Sequence, residues 1–388
     1  MKIAHVTNYV MERMDYQDTE LPLNQTLLGE TVAVFTSDRY YPFPNYEASY
    51  VKLFGKRVVG AGSYDLNGCK FVRITPLFER VSMAGLLLPL RKLYKHLRIF
   101  SPDVIHLHGE LNLNAFIVLL YCKLNSKKVF IDCHADKDNF PKATSLKSKF
   151  LFSIFRIKYS IFKMEIASFL PVTLASRNYL IELLGIKDSE MTILPLGSKL
   201  SAIKPRKVEG EIIFINSGKF YEDKKIIENI LLVDLIAGKN TNRNFKLVLI
   251  GECIDNKYYD CLINTIRCIK SNNLTVELKS FVSKEELLRK YRRCHFGLWL
   301  GAPSNSIQDC FSMGAVVLLG GRDTTSHLSL GGLLDMDTNN LEESAIKFQE
   351  CIFNGVELPK IQEKTFKMIS DYSWRNIAIN SLKLYGNT

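Results

Sequence analysis

Short apolar runs alternate with amphipathic stretches along this chain, and the alternation is gone through twice. Strand-like runs fall at residues 2–7, 31–36, 70–74, 104–108, 128–133, 170–175 and 192–195, then at 211–216, 245–250, 275–279, 296–300 and 316–319. Helical patterns such as "KIIENILLVDLIAGK" and "KEELLRKYRRC" separate most of them, and Ser283 with Glu286 makes a capping box for the second. A strand rejoins its sheet in the parallel sense only through a crossover, and this order supplies a helix for most crossovers. The sequence therefore predicts an α/β fold of parallel sheets with helices on both faces. The style changes at "PLGSKLSAIKPRKVEGE", residues 195–211, which reads as a linker. Two Rossmann-like, doubly wound domains are expected, over 1–200 and 208–368, facing a central cleft. Ligands should bind there, at the carboxyl ends of the strands. Residues 40–68 fit no regular element and read as a mobile insertion near the cleft.

Bulk properties narrow the function. A length of 388 residues suits two ordinary domains. No apolar run approaches the roughly 18 residues of a membrane span, and the N-terminus lacks the regions of a signal peptide. Nine cysteines without a zinc spacing or a framework point to reduced thiols in a cytoplasm. The net charge of +11 is uneven: residues 1–200 carry +8 of it. The excess is densest over 142–163, with six basic residues and no acid. Such a half implies an anionic partner. No nucleic-acid fold motif accompanies the charge, so nucleic acid is the less favoured partner.

Two stretches carry chemistry. In "IIFINSGKFYEDKK" a strand gives way at Ser217-Gly218, and Lys219 and Lys224 follow where a helix is about to start. Glycine there lets the backbone approach a phosphate, and two lysines could neutralise a diphosphate. A solvated basic turn is the plainer alternative. In "GAPSNSIQDCFSMGAVVLLGG", Ser304, Asn305 and Ser306 would offer donors at a helix N-terminus, and Asp309 could accept from sugar hydroxyls. A capped helix with one exposed acid is the bland reading.

With both motifs in view, the chain resembles the family-4 retaining glycosyltransferases of GT-B fold. Their "G-R-x4-K" loop is matched by "GKFYEDK", with Lys219 at the arginine position and Lys224 at the lysine. Their "E-x7-E" helix is matched by "GAPSNSIQDCFSMGAVV", with Gly301 and Asp309 at the two glutamates. "PDVIHLHG" is similar to the family's "D-x-x-H-x-H" strand, and "VFIDCHADKDN" to the next strand with its cleft-facing histidine. "YSWRNIAINSLKLY" is similar to a closing helix, 372–388, that crosses back to the first domain. The departures are a first loop "MERMDYQD" without Gly-Gly, lysine for arginine, and the missing and shortened glutamates. Lysine keeps the charge but loses the bidentate fork.

The resemblance implies a metal-independent hexosyl transfer without further cofactor. Lys219, Lys224, His134 and Asp309 would carry the chemistry. Gly218, Ser304, Asn305, Ser306, Phe281 and Val282 would bind the donor, a nucleotide sugar with UDP-sugar favoured. Tyr16, Gln17, Asp18 and His108 would lie on the acceptor side. His106 is expected to be scaffolding, and the D-x-D patterns at Asp136–Asp138 and Asp335–Asp337 solvated loop acids. The acceptor would be a glycan or a lipid-linked glycan of surface polysaccharide synthesis, at the inner face of a membrane. Over 142–163 the aromatics Phe150, Phe152, Phe155, Tyr159 and Phe162 alternate with cations. Burial is the favoured explanation for most of them, and an interfacial helix on anionic lipid the alternative. A non-catalytic partner of the same fold and a nucleotide-sugar epimerase or sugar phosphorylase remain as competitors.

Overall fold

The computed structural model describes residues 1–43, 46–80, 85–137, 146–200, 208–253, 255–304, 306–353 and 357–386. The chain forms two compact units, one of Met1–Gly197 with Trp374–Thr388 and one of Ser198–Ser373.

The first unit runs β1 (Lys2–Val6), α1 (Gln17–Leu27), β2 (Thr31–Ser37), the short helices α2 (Tyr46–Ser49) and α3 (Val51–Phe54), then β3 (Gly62–Leu66) and β4 (Cys69–Ile74). A small hairpin of β5 (Phe78–Arg80) and β6 (Gly85–Leu87) precedes α4 (Leu90–Phe100), β7 (Val104–Leu107), α5 (Ala115–Asn125) and β8 (Lys128–Cys133). α6 (Leu146–Ile161), β9 (Ile166–Pro171) and α7 (Leu174–Tyr179) follow. The seven-stranded sheet has the order β3-β4-β2-β1-β7-β8-β9, parallel except for β3. Strands buried on both faces read as unbroken apolar runs, as "VIHL" and "VFIDC" do here.

The second unit contains β10 (Ile212–Phe220), α8 (Ile226–Lys239), β11 (Phe245–Cys253), α9 (Asn256–Arg267), β12 (Leu274–Lys279), α10 (Lys284–Tyr291), β13 (Phe296–Trp299), α11 (Ser306–Ser312), β14 (Val316–Leu319), α12 (Leu341–Phe348) and α13 (Glu357–Asp371). Its five-stranded sheet is parallel throughout, in the order β12-β11-β10-β13-β14. The last helix, α14 (Trp374–Gly386), belongs to the first unit. There Trp374, Ile377, Ala378 and Tyr385 join the core beneath β1 and β8. In both sheets the crossovers reverse direction beside the first strand, β1 or β10, which is where a doubly wound sheet opens a crevice.

Four expectations are corrected. Residues 40–68 are not irregular: they hold α2, α3 and β3, and β3 pairs antiparallel with β4. Nor does that segment hang loose, since Arg57 forks onto Glu79 at 2.6 and 2.8 Å. The strand expected at 170–175 starts earlier and stops at Pro171, because Thr173 caps α7 by accepting from the Ser176 N–H at 3.1 Å. Residues 192–195 form no strand and follow β9 through single bonds, Thr192 N–H to Phe169 O and Leu194 N–H to Pro171 O. Finally, β10 does not end at Asn216 but continues to Phe220. Among the described residues no helix is long and apolar enough to cross a membrane.

Candidate functional site

In the second unit the two lysines bracket a turn that starts later than expected. Gly218 and Lys219 are still strand, paired with Gly251 and Glu252 of β11. A Cβ on Gly251 would stand 1.8 Å from the Gly218 carbonyl oxygen, so a glycine is required at 251 for the strands to meet there, while Gly218 is favoured by its positive φ of 143°. The turn is the single 3-10 turn Glu222–Lys224. Lys219 is half-buried, and burial holds its ammonium below the ordinary lysine range. The Lys224 ammonium donates to the carbonyls of Ala302 at 3.0 Å and Pro303 at 2.5 Å. It thereby ties its own turn to the loop leaving β13.

That loop explains one departure from the family pattern. A Cβ on Gly301 would lie 2.2 Å from the Asp223 carbonyl oxygen and 2.3 Å from the Lys224 carbonyl carbon. The backbone of the lysine turn occupies the space, and the Ala302 N–H donates to Asp223 O at 2.7 Å to seal it. A glutamate at 301 is sterically barred.

Asp309 is not an exposed acid. It is buried on α11, and its Oδ2 lies 2.6 Å from Nζ of Lys284, the first residue of α10. Ser304 accepts from the Ser306 N–H at 3.3 Å. Asn305 lies outside the described residues. Helix α11 has only seven residues, so its dipole adds little beyond these hydroxyls. Phe281 and Val282 sit in the loop between β12 and α10, with Val282 against the core. Lys219 near the carboxyl end of β10, and Lys224, Lys284, Ser304 and Asp309 beyond the carboxyl ends of strands, thus all stand on one side of one sheet.

The first unit gathers a different set. His5 of β1 lies in register with His106 of β7, and Asp132 is the penultimate residue of β8, the strand beside β7. All three are fully buried, with His108 nearly so. Asp132 Oδ2 is 3.1 Å from His106 Nε2, 2.6 Å from His108 Nδ1 and 3.5 Å from His134 Nε2, while its Oδ1 accepts from the Gly109 N–H at 2.7 Å. Proton accounting then fixes the network. Ser381 gives its hydroxyl proton to Ala378 O, so it accepts from the Gln25 amide at 2.9 Å and turns the Gln25 oxygen toward His5 Nε2 at 2.8 Å. His5 donates there, so its Nδ1 accepts from His108 Nε2 at 3.0 Å. His108 presents its second nitrogen, Nδ1, to the Asp132 carboxylate at 2.6 Å. His106 closes the chain with its other nitrogen on the Tyr385 hydroxyl.

Electrostatics agree with this accounting. Burial and the neighbouring rings hold His5 well below the ordinary histidine value, and burial brings His106 to about 4. Burial would raise Asp132, but His108, His134 and His106 hold it well below the carboxylate range. For His134 burial works downward, and Asp132 overrides it to raise the ring. His134 remains 43% exposed, the open end of an otherwise closed cluster. Asp18, at the start of α1, is pushed up to about 6 by burial, against the pull of His108 and His134. Gln17 is buried with neither amide atom partnered, while Tyr16 is half-buried at the N-cap of α1. His106, His108 and Asp132 also bring three ligand atoms within 4.8 Å of one another, each already facing a neighbour in the cluster. Of the D-x-D acids, Asp337 is exposed as expected, whereas Asp136 is buried and Asp335 is part-buried and bridged to Leu319, while Asp138 lies outside the described residues.

No family model and no curated protein matches the sequence. Solved structures do match the fold over its whole length. A glycosyltransferase from Rickettsia africae ESF-5 superposes with a TM-score of 0.67 at 14% identity, covering 100% of this chain and 98% of that one. Anabaena Alr3699/HepE, solved with UDP, gives 0.68 at 12% identity over 100% of both chains. The fold is GT-B. Trehalose-6-phosphate synthase OtsA matches this GT-B chain with a TM-score of 0.64 at 11% identity, covering 100% and 99% of the two. At such identities the likeness is one of fold, and the chemistry must be argued from the residues.

Sequence reasoning missed several members of the clusters in both units. Asp132 stands two residues before His134 in "DCH", which on a strand places both on one face. His5 and Tyr385 carried no local signal, since only sheet register and the docking of α14 bring them in. Lys284 read as a helix start, and its partner Asp309 lies 25 residues away.

Proposed function

We propose that this chain is a retaining, metal-independent glycosyltransferase of the family-4 type. It moves a hexosyl unit from a nucleotide sugar, a UDP-sugar first, to a glycan or lipid-linked acceptor of surface polysaccharide synthesis at the cytoplasmic face of a membrane. The observation that carries this reading is the lysine turn at the switch point of the second sheet. There a half-buried Lys219 and a Lys224 held on neutral carbonyls are two cations built into backbone that glycines bring close. Glycosyltransferases with this fold have been solved with UDP and UDP-glucose, Alr3699/HepE among them.

Breaking the bond between the sugar C1 and the phosphate oxygen leaves negative charge on the departing diphosphate. Lysines fixed before the reaction stabilise that charge without reorganising. An anion beside Lys219 would also relieve the cost of its burial. The acceptor hydroxyl gives its proton to the leaving phosphate oxygen as its own oxygen bonds C1 on the same face, so no protein nucleophile is needed. His134, steadied through Nε2 by Asp132, serves as a hydrogen-bonding group to the sugar or acceptor, with Asp18, Gln17, Tyr16 and His108 on the acceptor side. Asp309 acts with Lys284 as a pair: the lysine orients the carboxylate toward the ribose hydroxyls.

A second reading, a non-catalytic nucleotide or glycan binder, is favoured by the barred glutamate at Gly301 and the neutralised Asp309. Thermal melting with UDP, GDP, ADP and CMP separates them. A nucleotide at a hundred times its Kd stabilises by about 2.7 kcal/mol. The expected result is a shift with UDP that Lys224→Ala abolishes, together with turnover of a UDP-sugar in the presence of acceptor. Binding without turnover on any acceptor would favour the binder. No shift with any nucleotide would make the lysines an ordinary solvated turn.

A further inference from the structure

Helix α6 is apolar on two faces. Phe152, Phe155, Tyr159 and Phe162 are buried in the core of the first unit, which accounts for the aromatics of this basic stretch. The other face is in solvent: Phe150 is 69% exposed, Ile154 47%, Ile157 61% and Ile161 61%, and Met164 just beyond the helix is 77% exposed. At 3.6 residues per turn the four helical positions fall within about 60° of arc, a continuous stripe rather than scattered residues. Isolated exposed apolar side chains need no explanation, but a contiguous row of this kind marks a contact surface.

Along one edge of the stripe runs a row of cations. Lys149, Arg156 and Lys163 are exposed and spaced seven apart, with the small polar Ser153 and Ser160 between row and stripe. The row is held in place: Arg156 Nε donates to Leu183 O at 2.8 Å, and Lys163 pairs with Glu190 at 2.5 Å. The turn carrying Met164 is fixed by Lys128, whose ammonium donates to the Met164 carbonyl at 2.5 Å. Of the nearby acids, Glu182 pairs with Lys137 and Glu190 with Lys163, which offsets part of the Lys163 charge, and Glu165 follows Met164 in the same turn.

We propose that this face of α6 docks onto the surface of a bilayer bearing anionic lipid headgroups, with Phe150, Ile154, Ile157, Ile161 and Met164 entering the headgroup–acyl boundary and Lys149, Arg156 and Lys163 meeting the headgroups. A shallow apolar stripe edged by fixed cations is what such an interface requires. A second copy of this chain fits less well, because a twofold contact through the stripe would set each cationic row near its own image. The inference deepens the proposed action on a membrane-side acceptor and rests on that reading for its purpose, though not for its geometry.

The test is flotation of the full-length protein with vesicles of phosphatidylcholine alone and of phosphatidylcholine mixed with phosphatidylglycerol. Wild type should float with the mixed vesicles and not with the neutral ones. Ile157→Ser with Ile161→Ser should lower partitioning by about tenfold or more, and Lys149→Gln alone by about fivefold. All these positions are exposed, and the UDP melting shift of each variant reports that the fold and nucleotide site survive. Absence of flotation, flotation that ignores the isoleucine pair, or a dimer in light scattering that the isoleucine pair dissolves without any vesicle binding would each overturn the proposal. Flotation with no UDP shift would leave this surface standing and sink the transfer reading instead.

Discussion

The residue clusters of the two units are built from opposite materials. In the first unit the work is done by side chains: one buried carboxylate, Asp132, organises three imidazoles, and only His134 among them reaches solvent. In the second unit it is done by backbone. Glycines at 251 and 301 let strands and turns approach to contact, and the Lys224 side chain is held by carbonyl oxygens. The first construction concentrates energy in one residue, and the second spreads it over a shape. Substitutions should therefore behave differently in the two.

The largest effect is expected at Asp132. Asp132→Ala leaves the Gly109 N–H without an acceptor, His106 without a partner for Nε2, and the His108 ring without its carboxylate neighbour. Each buried polar group left without its partner costs about 1–3 kcal/mol. Urea unfolding should show that loss, and Asp132→Asn, which retains an acceptor, should lose less. If Asp132→Ala unfolds within about 1 kcal/mol of wild type, the cluster is hydrated rather than dry, and the contrast with the second unit disappears.

Gly301 tests the backbone side of the comparison. Gly301→Ala places a methyl against the Asp223 and Lys224 main chain, and the lysine turn must move by a good part of an ångström to admit it. Overpacking of this kind costs about 1–3 kcal/mol. The sharper readout is the nucleotide: the UDP melting shift should fall even where most stability survives, because Lys224 moves with the turn. Gly109→Ala in the first unit is the control, since a Cβ there meets nothing within 4 Å and only its positive φ of 89° is strained. It should cost about 1 kcal/mol and leave UDP binding intact.

The same contrast explains what the sequence could reveal. Strand order, parallel sheets and the lysine turn were legible because they follow from local period and from residue types within seven positions of each other. The histidines of "HLH" and "CHAD" were visible as residues but not as a cluster, because Asp132 gathers them through sheet register and Tyr385 arrives from the far end of the chain. Gly301 looked like an eroded glutamate, and only the position of the Asp223 carbonyl shows that glycine is a requirement there. The isoleucines of α6 went unremarked among aromatics of similar hydrophobicity, since both faces of the helix are apolar and periodicity does not say which one the core takes. Residues 40–68 hid β3 because "GSYDL" is polar on an edge strand that needs only one buried neighbour.

Asp18 offers the finest test, because it lies at the open end of the first-unit cluster and sets stability against activity. Its carboxyl is raised from 3.8 to about 6, chiefly by burial. Between those values the native state holds a proton that the unfolded chain gives up. The group's contribution is therefore complete below about pH 4 and is lost as pH rises through 6. An amide at this position cannot ionise, so Asp18→Asn should come close to wild type near pH 4 and exceed it by about 3 kcal/mol at pH 8, with the gap opening between. Paired denaturant titrations across that range check the sign directly. Sugar transfer should fall in the same variant, because at pH 8 it is the ionised Asp18 that faces His108 and His134 and completes the acceptor side. Parallel pH profiles would mean that the carboxyl ionises as it does in water, and the cluster would then reach no further than His134. A variant that gains stability and keeps full transfer would make Asp18 a cost of the fold rather than a part of the site.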